Sequence, residues 1–423
     1  MPIHGSVLAT KMQHPNSMAH FERAAKVIPG GIYGHTSPAA ALPGAFPYYA
    51  ESAEGCRYKD VDGKEYIDFL CGYGTISLGY KHPVVEEAVA KQREKGILFN
   101  HPTANQPELA ELMTSMVGFA DWAVFGKNGS DMTTWAIQVA REKTKRKKIL
   151  KIAGAYHGVD PWCNPNTGGK IEEDTAHIHE FPWNDLDTLE HLLRVNRDGV
   201  AGIILTPYHH PTFADQEMPS PEFHKTIRKF CDKYGIVLIL DDIRAGFRLT
   251  LDGSHTLFGF EPDLACYCKA LGNGYTLSAT VGRDDLRIPA TKVFLTGSYW
   301  NDACAMAASI ATLQEMKRID LPKQLCETGE KLSKGLHSLA TKHGHQLTIS
   351  GPPALPYVRF TNETNFLQLQ QFCSLAAEEG VILHPHHNNF LSAAHSPADI
   401  DAALEALGRA LSRMEPPASP STL

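Results

Sequence analysis

Long apolar runs are missing from this 423-residue chain. None approaches the roughly 18 residues that cross a bilayer, and the opening MPIHGSVLATKMQHPN has no apolar core of the kind that directs secretion. A cytoplasmic place is the expectation, with no membrane partner. Positive charge is not in excess either: the formal net charge is −7, so nucleic acid is not expected as a partner. The basic run Lys143–Lys148 falls where a helix ends and a strand begins, and there it complements the helix dipole. Nine cysteines, an odd number, show no CxxC and no zinc spacing. Reduced packing thiols follow, and no metal is expected. Cys266 and Cys268 alternate on the expected strand 264–268 without further ligands, and His209-His210 and His384-Pro385-His386-His387 read as loop histidines. No GxGxxG follows the first strand, which argues against a nicotinamide enzyme. The stretch Asn164–Lys170 ends like a phosphate loop but lacks the opening glycine and the preceding strand.

What is present is a globular composition, 43% hydrophobic and 21% charged, in a chain long enough for two domains. Asn16 to Ile28 has helical spacing behind an Asn16/Ser17 cap, and Asp62-Gly63 marks a hairpin turn. From Cys71 onward helical patterns, such as Pro83–Lys95 and 107–117, alternate with short apolar strands at Trp122–Phe125, Lys148–Ile152, 201–205, 236–240 and 264–268. The helix 221–234 is expected to be capped by Ser220 and ended by Gly235. Such alternation predicts an α/β fold, a mostly parallel sheet covered on both faces. Beyond Arg318 a helix (323–343), strand (357–361), helix (366–379), strand (381–384) and helix (397–413) predict a small α+β domain. The expected division is an N-terminal segment to about residue 70 that joins the small domain, a large domain 71–318, the small domain 319–415 and a disordered tail 416–423.

The chemistry concentrates where apolar strands meet charge. Ile236–Leu240 runs into Asp241 and Asp242, and a later run delivers Lys269 just before Gly272-Asn273-Gly274. A strand-end carboxylate and a strand-end lysine suit pyridoxal phosphate, which needs an amine for its Schiff base and a carboxylate on its pyridine nitrogen. A charge pair at about 4 Å is worth roughly 4 kcal/mol at intermediate dielectric, enough to hold that nitrogen protonated. Gly129 and Ser130, opening a helix after the strand at Trp122, could donate N–H groups to a phosphate. Tyr156, in Gly154-Ala155-Tyr156-His157-Gly158, could stack on a flat ring.

Together NGSD, AYHG, LILDDIRAGFR and CKALGNGYTLSATVG resemble the class III pyridoxal-phosphate aminotransferases, the group that includes glutamate-1-semialdehyde aminomutase. KNGSD, DDIRAGFR, TGSYW and FLSAAH look closer still to the fumonisin-detoxifying branch. The resemblance implies fold type I, with a seven-stranded sheet, and a homodimer with the active site at the subunit interface. It implies a transaminase moving an amino group from a primary amine, apolar or long-chain, to a keto acid such as pyruvate. An aminomutase or racemase is the alternative. By resemblance Lys269 is the Schiff-base lysine, Asp241 the partner of the ring nitrogen, Ile243 the residue beneath the ring and Tyr156 the aromatic on its other face. Gly129 and Ser130 bind phosphate, Ser298 (or Thr296) reaches the neighbouring subunit's phosphate, and Tyr73 lines the substrate channel. Asp242 stands where the family has Glu, Thr206-Pro207 replaces Glu-Pro, and Ile32–Ser37 lacks the arginine that holds the aminomutase's substrate, leaving His35 or Ser37 there.

Overall fold

The apolar runs of the sequence become a seven-stranded sheet in the computed structural model, which describes residues 14–32, 49–165, 168–211, 214–361 and 363–415. His35, Ser37 and the 416–423 tail lie outside the described residues. Two compact units emerge, one formed by Gly74–Ile76 and Pro83–Lys323, the other by the described parts of Met1–Tyr73, Ser77–His82 and Gln324–Leu423.

The larger unit holds the sheet. Its strands are β1 (Trp122–Gly126), β2 (Lys148–Ile152), β3 (Ile178–Phe181), β4 (Val200–Leu205), β5 (Val237–Asp241), β6 (Leu264–Tyr267) and β7 (Ser278–Gly282). They lie in the order β1-β7-β6-β5-β4-β2-β3. Neighbours from β6 to β3 pair in parallel, while β7 runs antiparallel to both β1 and β6. Six strands therefore point their carboxyl ends at one edge, and only β7 opposes them. Both β4 and β5 are buried at every residue, as parallel strands covered on two faces must be. Helix α1 (Gly129–Thr144) packs Met132, Trp135, Ala136 and Val139 into the core with Ile149, Ile204 and Ile239. Helix α2 (Phe223–Tyr234) ends at Gly235, whose φ of 60° is the left-handed cap expected of it. Ser220 does not cap it: Glu222 takes the N-cap position, without a side-chain bond. Helix α3 (Ala303–Ile319) begins at Asp302, whose carboxylate accepts from the Ala305 N–H at 3.0 Å. Strands β3 and β7 carry no long apolar run, and tertiary pairing rather than local pattern makes them strands. Cys268 stands just past β6, not on it.

In the smaller unit the hairpin forms as expected. Strands Arg57–Asp60 and Glu65–Asp68 pair antiparallel around Gly63 at φ 87°, and Asp60 Oδ1 accepts from the N–H groups of Asp62 and Lys64 at 3.0 and 2.8 Å. Ala50–Glu54 extends the sheet on one side and Val381–Ile382 joins Glu65–Asp68 in parallel on the other. The expected strand 381–384 stops at Ile382. The first helix, Pro15–Ala25, is not capped by Asn16 or Ser17. Those residues sit inside it, and the carboxylate of Asp62 receives their N–H groups at 2.8 and 3.0 Å. An orphan helix start is satisfied here by a residue far away in sequence, which local reading cannot see.

Candidate active site

Because β1, β2, β5 and β6 all end at the same edge, the loops that follow them converge. A cavity of about 330 Å³ opens there, lined among others by Gly129, Ser130, Tyr156, Asp241, Ile243, Arg244 and Lys269. Six of the residues singled out in the sequence are thus brought together. Asp241 pairs with Cys266 across β5 and β6, and Lys269 follows three residues beyond that register. Its φ of 30° lies in a region that L-residues seldom adopt, a strain tolerated where the surrounding fold holds it.

Asp241 is 6% exposed. His157 Nδ1 lies 2.8 Å from its Oδ2, and the Ile243 N–H donates to its Oδ1 at 3.2 Å. The His157 ring is itself buried and stacked on Trp162 at 6.1 Å. Burial, and next the guanidinium of Arg244, bring the Lys269 amine down to about 7, so near neutrality much of it is a nucleophile rather than a cation. Asp242 is buried behind Asp241 and accepts from the Ser254 N–H at 2.9 Å; burial pushes its carboxyl up to about 7.

At the other end of the cavity, α1 presents its first turn. Asp131 accepts from the N–H groups of Lys127 and Asn128 at 3.1 and 2.7 Å, while those of Gly129 and Ser130 have no carbonyl one turn earlier to bond. Ser130 Oγ accepts from the Val159 N–H at 3.0 Å. Two glycines are required by close approach. A Cβ on Gly129 would lie 2.7 Å from Ile243 Cδ1, and one on Gly158, whose φ is +134°, would lie 2.4 Å from Ser130 Oγ. Tyr156 stands 40% exposed at the mouth, and burial raises its hydroxyl's pKa.

Neither Ser298 nor its fallback Thr296 lines this cavity. Ser298 and Thr296 stand exposed on the loop between Lys292 and Ala303. Tyr73 belongs to the smaller unit, its ring 6.0 Å from His384 and 5.5 Å from His387. Thr206, which replaces the family's Glu, ties its hydroxyl to the Tyr208 carbonyl at 2.8 Å. Sequence reading missed His157 and Arg244. The first adjoins Tyr156 in the quoted AYHG, but a histidine's partner is visible only in space; the second lies within DDIRAGFR, where attention fell on Asp241.

The residues fit a phosphate-bearing, ring-nitrogen cofactor that is held through a lysine. An open helix start with a serine, an aspartate held by a histidine and a partly neutral lysine lie around one cavity, which is the donor set of a pyridoxal-phosphate enzyme of fold type I.

Comparison with known proteins gives the class a family. The family described as aminotransferase class-III matches residues 40–411. The aminopentol aminotransferase of Sphingopyxis macrogoltabida is 41% identical over 92% of either chain. The 3-aminobutyryl-CoA aminotransferase of Cloacimonas acidaminovorans is 34% identical over 96% of this chain and 99% of its own. The solved PLP internal aldimine form of the Sphingopyxis sp. MTA144 FumI protein superposes with a TM-score of 0.92 at 40% identity, covering 95% of this chain and 98% of that one. The chain belongs to the class III aminotransferases, and it is a pyridoxal-phosphate-dependent transaminase.

Proposed function

We propose that the donor is a long-chain or otherwise apolar primary amine, that the acceptor is a 2-oxo acid such as pyruvate, and that the enzyme works as a cytoplasmic homodimer. The observation that carries the site assignment is that Asp241 and Lys269, at neighbouring parallel strand ends, line one cavity. The likeness to an aminopentol aminotransferase supports the donor class.

Pyridoxal phosphate, when bound, supplies a conjugated ring that takes up the electron pair of the substrate's Cα–H bond. Lys269 Nζ would hold the cofactor and, when free, would take up the proton from the substrate carbon. Asp241, backed by His157, keeps the ring nitrogen protonated. Ile243, pressed against Gly129, and Tyr156 would pack against the flat ring. Gly129 and Ser130 take the phosphate at the start of α1. Tyr73 bounds the substrate channel. Ser298 reaches the phosphate of a second subunit; the exposure of Phe294 (86%) and Tyr299 (67%) on the same loop supports an interface there. Nine cysteines, none of them in a disulfide, agree with a reducing compartment, and among the described residues no helix is long and apolar enough to cross a membrane.

The test separates the two half-reactions. Long-chain primary amine alone is expected to change the absorbance of the bound cofactor once per site, and added pyruvate to restore it with release of alanine. An amine-driven change that no 2-oxo acid reverses would contradict the reading.

A further inference from the structure

Two threonines stand side by side where α1 completes its first turn, and both hydroxyls point away from the helix. A threonine inside a helix usually gives its proton to a carbonyl three or four residues back. Thr133 Oγ1 lies 3.3 Å from both such oxygens, those of Gly129 and Ser130, but 2.7 Å from the carbonyl of His157. One proton is available and the shortest contact takes it, so the bond runs out of the helix into the loop that follows β2. Thr134 does likewise: its Oγ1 donates to Asp160 Oδ2 at 2.5 Å and accepts from Trp162 Nε1 at 2.8 Å.

The Thr133 contact is closed to solvent. Thr133 is 0% exposed and His157 1%, and the Thr133 hydroxyl is the one donor to the His157 carbonyl among the described residues. On the same histidine, ring Nδ1 meets Asp241 Oδ2 at 2.8 Å, while Nε2 is buried with no partner among the described residues. The direction of the ring is thus set by one hydrogen bond, by the face of Trp162 and by the position of its own backbone. Thr133 fixes the last of these.

The loop does not depend on Thr133 for its course. Before His157, the buried Lys151 gives its ammonium to the carbonyls of Ile152 and Ala155 at 3.4 and 3.3 Å and pairs with Glu180 at 2.6 Å. After it, Ser130 holds Val159 and Thr134 holds Asp160. Loss of the Thr133 hydroxyl leaves these ties in place, so what it controls is the aim of His157 rather than the path of the chain.

We infer that Thr133 is a positioning residue for the reaction: through His157 it fixes Asp241 against the ring nitrogen, so that the helix that takes the phosphate also sets the contact at the ring. The inference rests on the reading of Asp241 and α1 given above.

Thr133→Val keeps the shape of the side chain and removes the hydroxyl; Thr133→Ser keeps the hydroxyl and removes a methyl group. Cofactor isotopically labelled at its ring nitrogen is loaded into wild type and variants, and the NMR shift of that nitrogen reports how firmly a carboxylate holds its proton. The shift in Thr133→Val is expected to lie between those of wild type and Asp241→Asn, with kcat lowered roughly 3- to 10-fold and KM for the amine unchanged. Thr133→Ser should match wild type in both. The loss in kcat should vanish in a His157→Phe background. Should Thr133→Val not fold, Thr133→Ala, which also lacks the hydroxyl, makes the same comparison with Thr133→Ser. A wild-type shift in the variant without the hydroxyl, an equal loss in Thr133→Ser, or a loss that persists beside His157→Phe would overturn the inference, since each assigns Thr133 to packing alone. If Asp241→Asn itself leaves the shift where wild type has it, the reading of Asp241 fails and this inference with it, so the two failures are distinguishable.

Discussion

Two aspartates close two strands in this protein, and they do opposite things. Asp241 ends β5 and Asp68 ends the strand Glu65–Asp68; both are buried, at 6% and 2% exposure. Asp68 is consumed by its own chain: it accepts from the N–H groups of Leu70 and Cys71 at 2.7 and 3.0 Å and from the Tyr80 hydroxyl at 2.8 Å. Those bonds hold a left-handed run in which Cys71, Gly72 and Tyr73 have φ of 48°, 58° and 56°, at a cost of about 1–2 kcal/mol for each L-residue. Asp241 spends one oxygen on a single backbone N–H and the other on a histidine ring, and it lines a cavity. The donors, not burial or strand position, separate a carboxylate that builds from one that faces a cavity.

The largest effect expected follows directly. Asp241→Asn should lower turnover by about 10³-fold, the kinetic equivalent of the roughly 4 kcal/mol of charge stabilisation lost, with little change in melting temperature. Asp68→Asn should do the reverse, costing about 2 kcal/mol of stability measured by denaturant unfolding while the cofactor still binds. Equal behaviour of the two variants would erase the distinction. Next in size, His157→Phe should slow turnover about 10-fold, and the slowing should disappear when Asp241 is already Asn, because a positioning residue has nothing left to position. Independent, additive losses would show that His157 acts elsewhere.

The last effect lies outside the site and acts on stability rather than turnover, in histidines buried as neutral rings. His224 stacks on Phe260 at 4.7 Å, His209 on Trp183 at 5.5 Å and His395 on Phe69 at 4.8 Å. Burial brings all three down to about 4. Since the unfolded chain binds those protons near pH 6.5, the folded state loses stability as pH falls from about 6.5 towards 4, by up to about 1.4 kcal/mol per pH unit for each ring. Melting curves at pH 7 and 5 should show the drop, and His224→Phe should make it shallower without abolishing it; a flat profile in the wild type would contradict the burial argument.

The sheet and the chemistry at its carboxyl edge were legible because parallel buried strands are continuous apolar runs, and their ends are marked by charge. Lys148–Ile152 and Pro83–Lys95 stand at the residues expected. What stayed hidden was set at a distance. Strands β3 and β7 exist only through their neighbours, Asp62 caps a helix some 45 residues before it, and His157 finds Asp241 across 84 residues. Tyr73 could be named, but not the left-handed turn that carries it, since only glycine advertises such a conformation and two of the three residues there are not glycine.

In the proposed reading Lys269 is the residue that holds the cofactor. Borohydride reduction of the holoenzyme, proteolysis and mass mapping should find the cofactor's mass on the peptide containing Lys269 and nowhere else, and Lys269→Ala should give no adduct and no turnover. An adduct on another lysine, or undiminished turnover in Lys269→Ala, would contradict it.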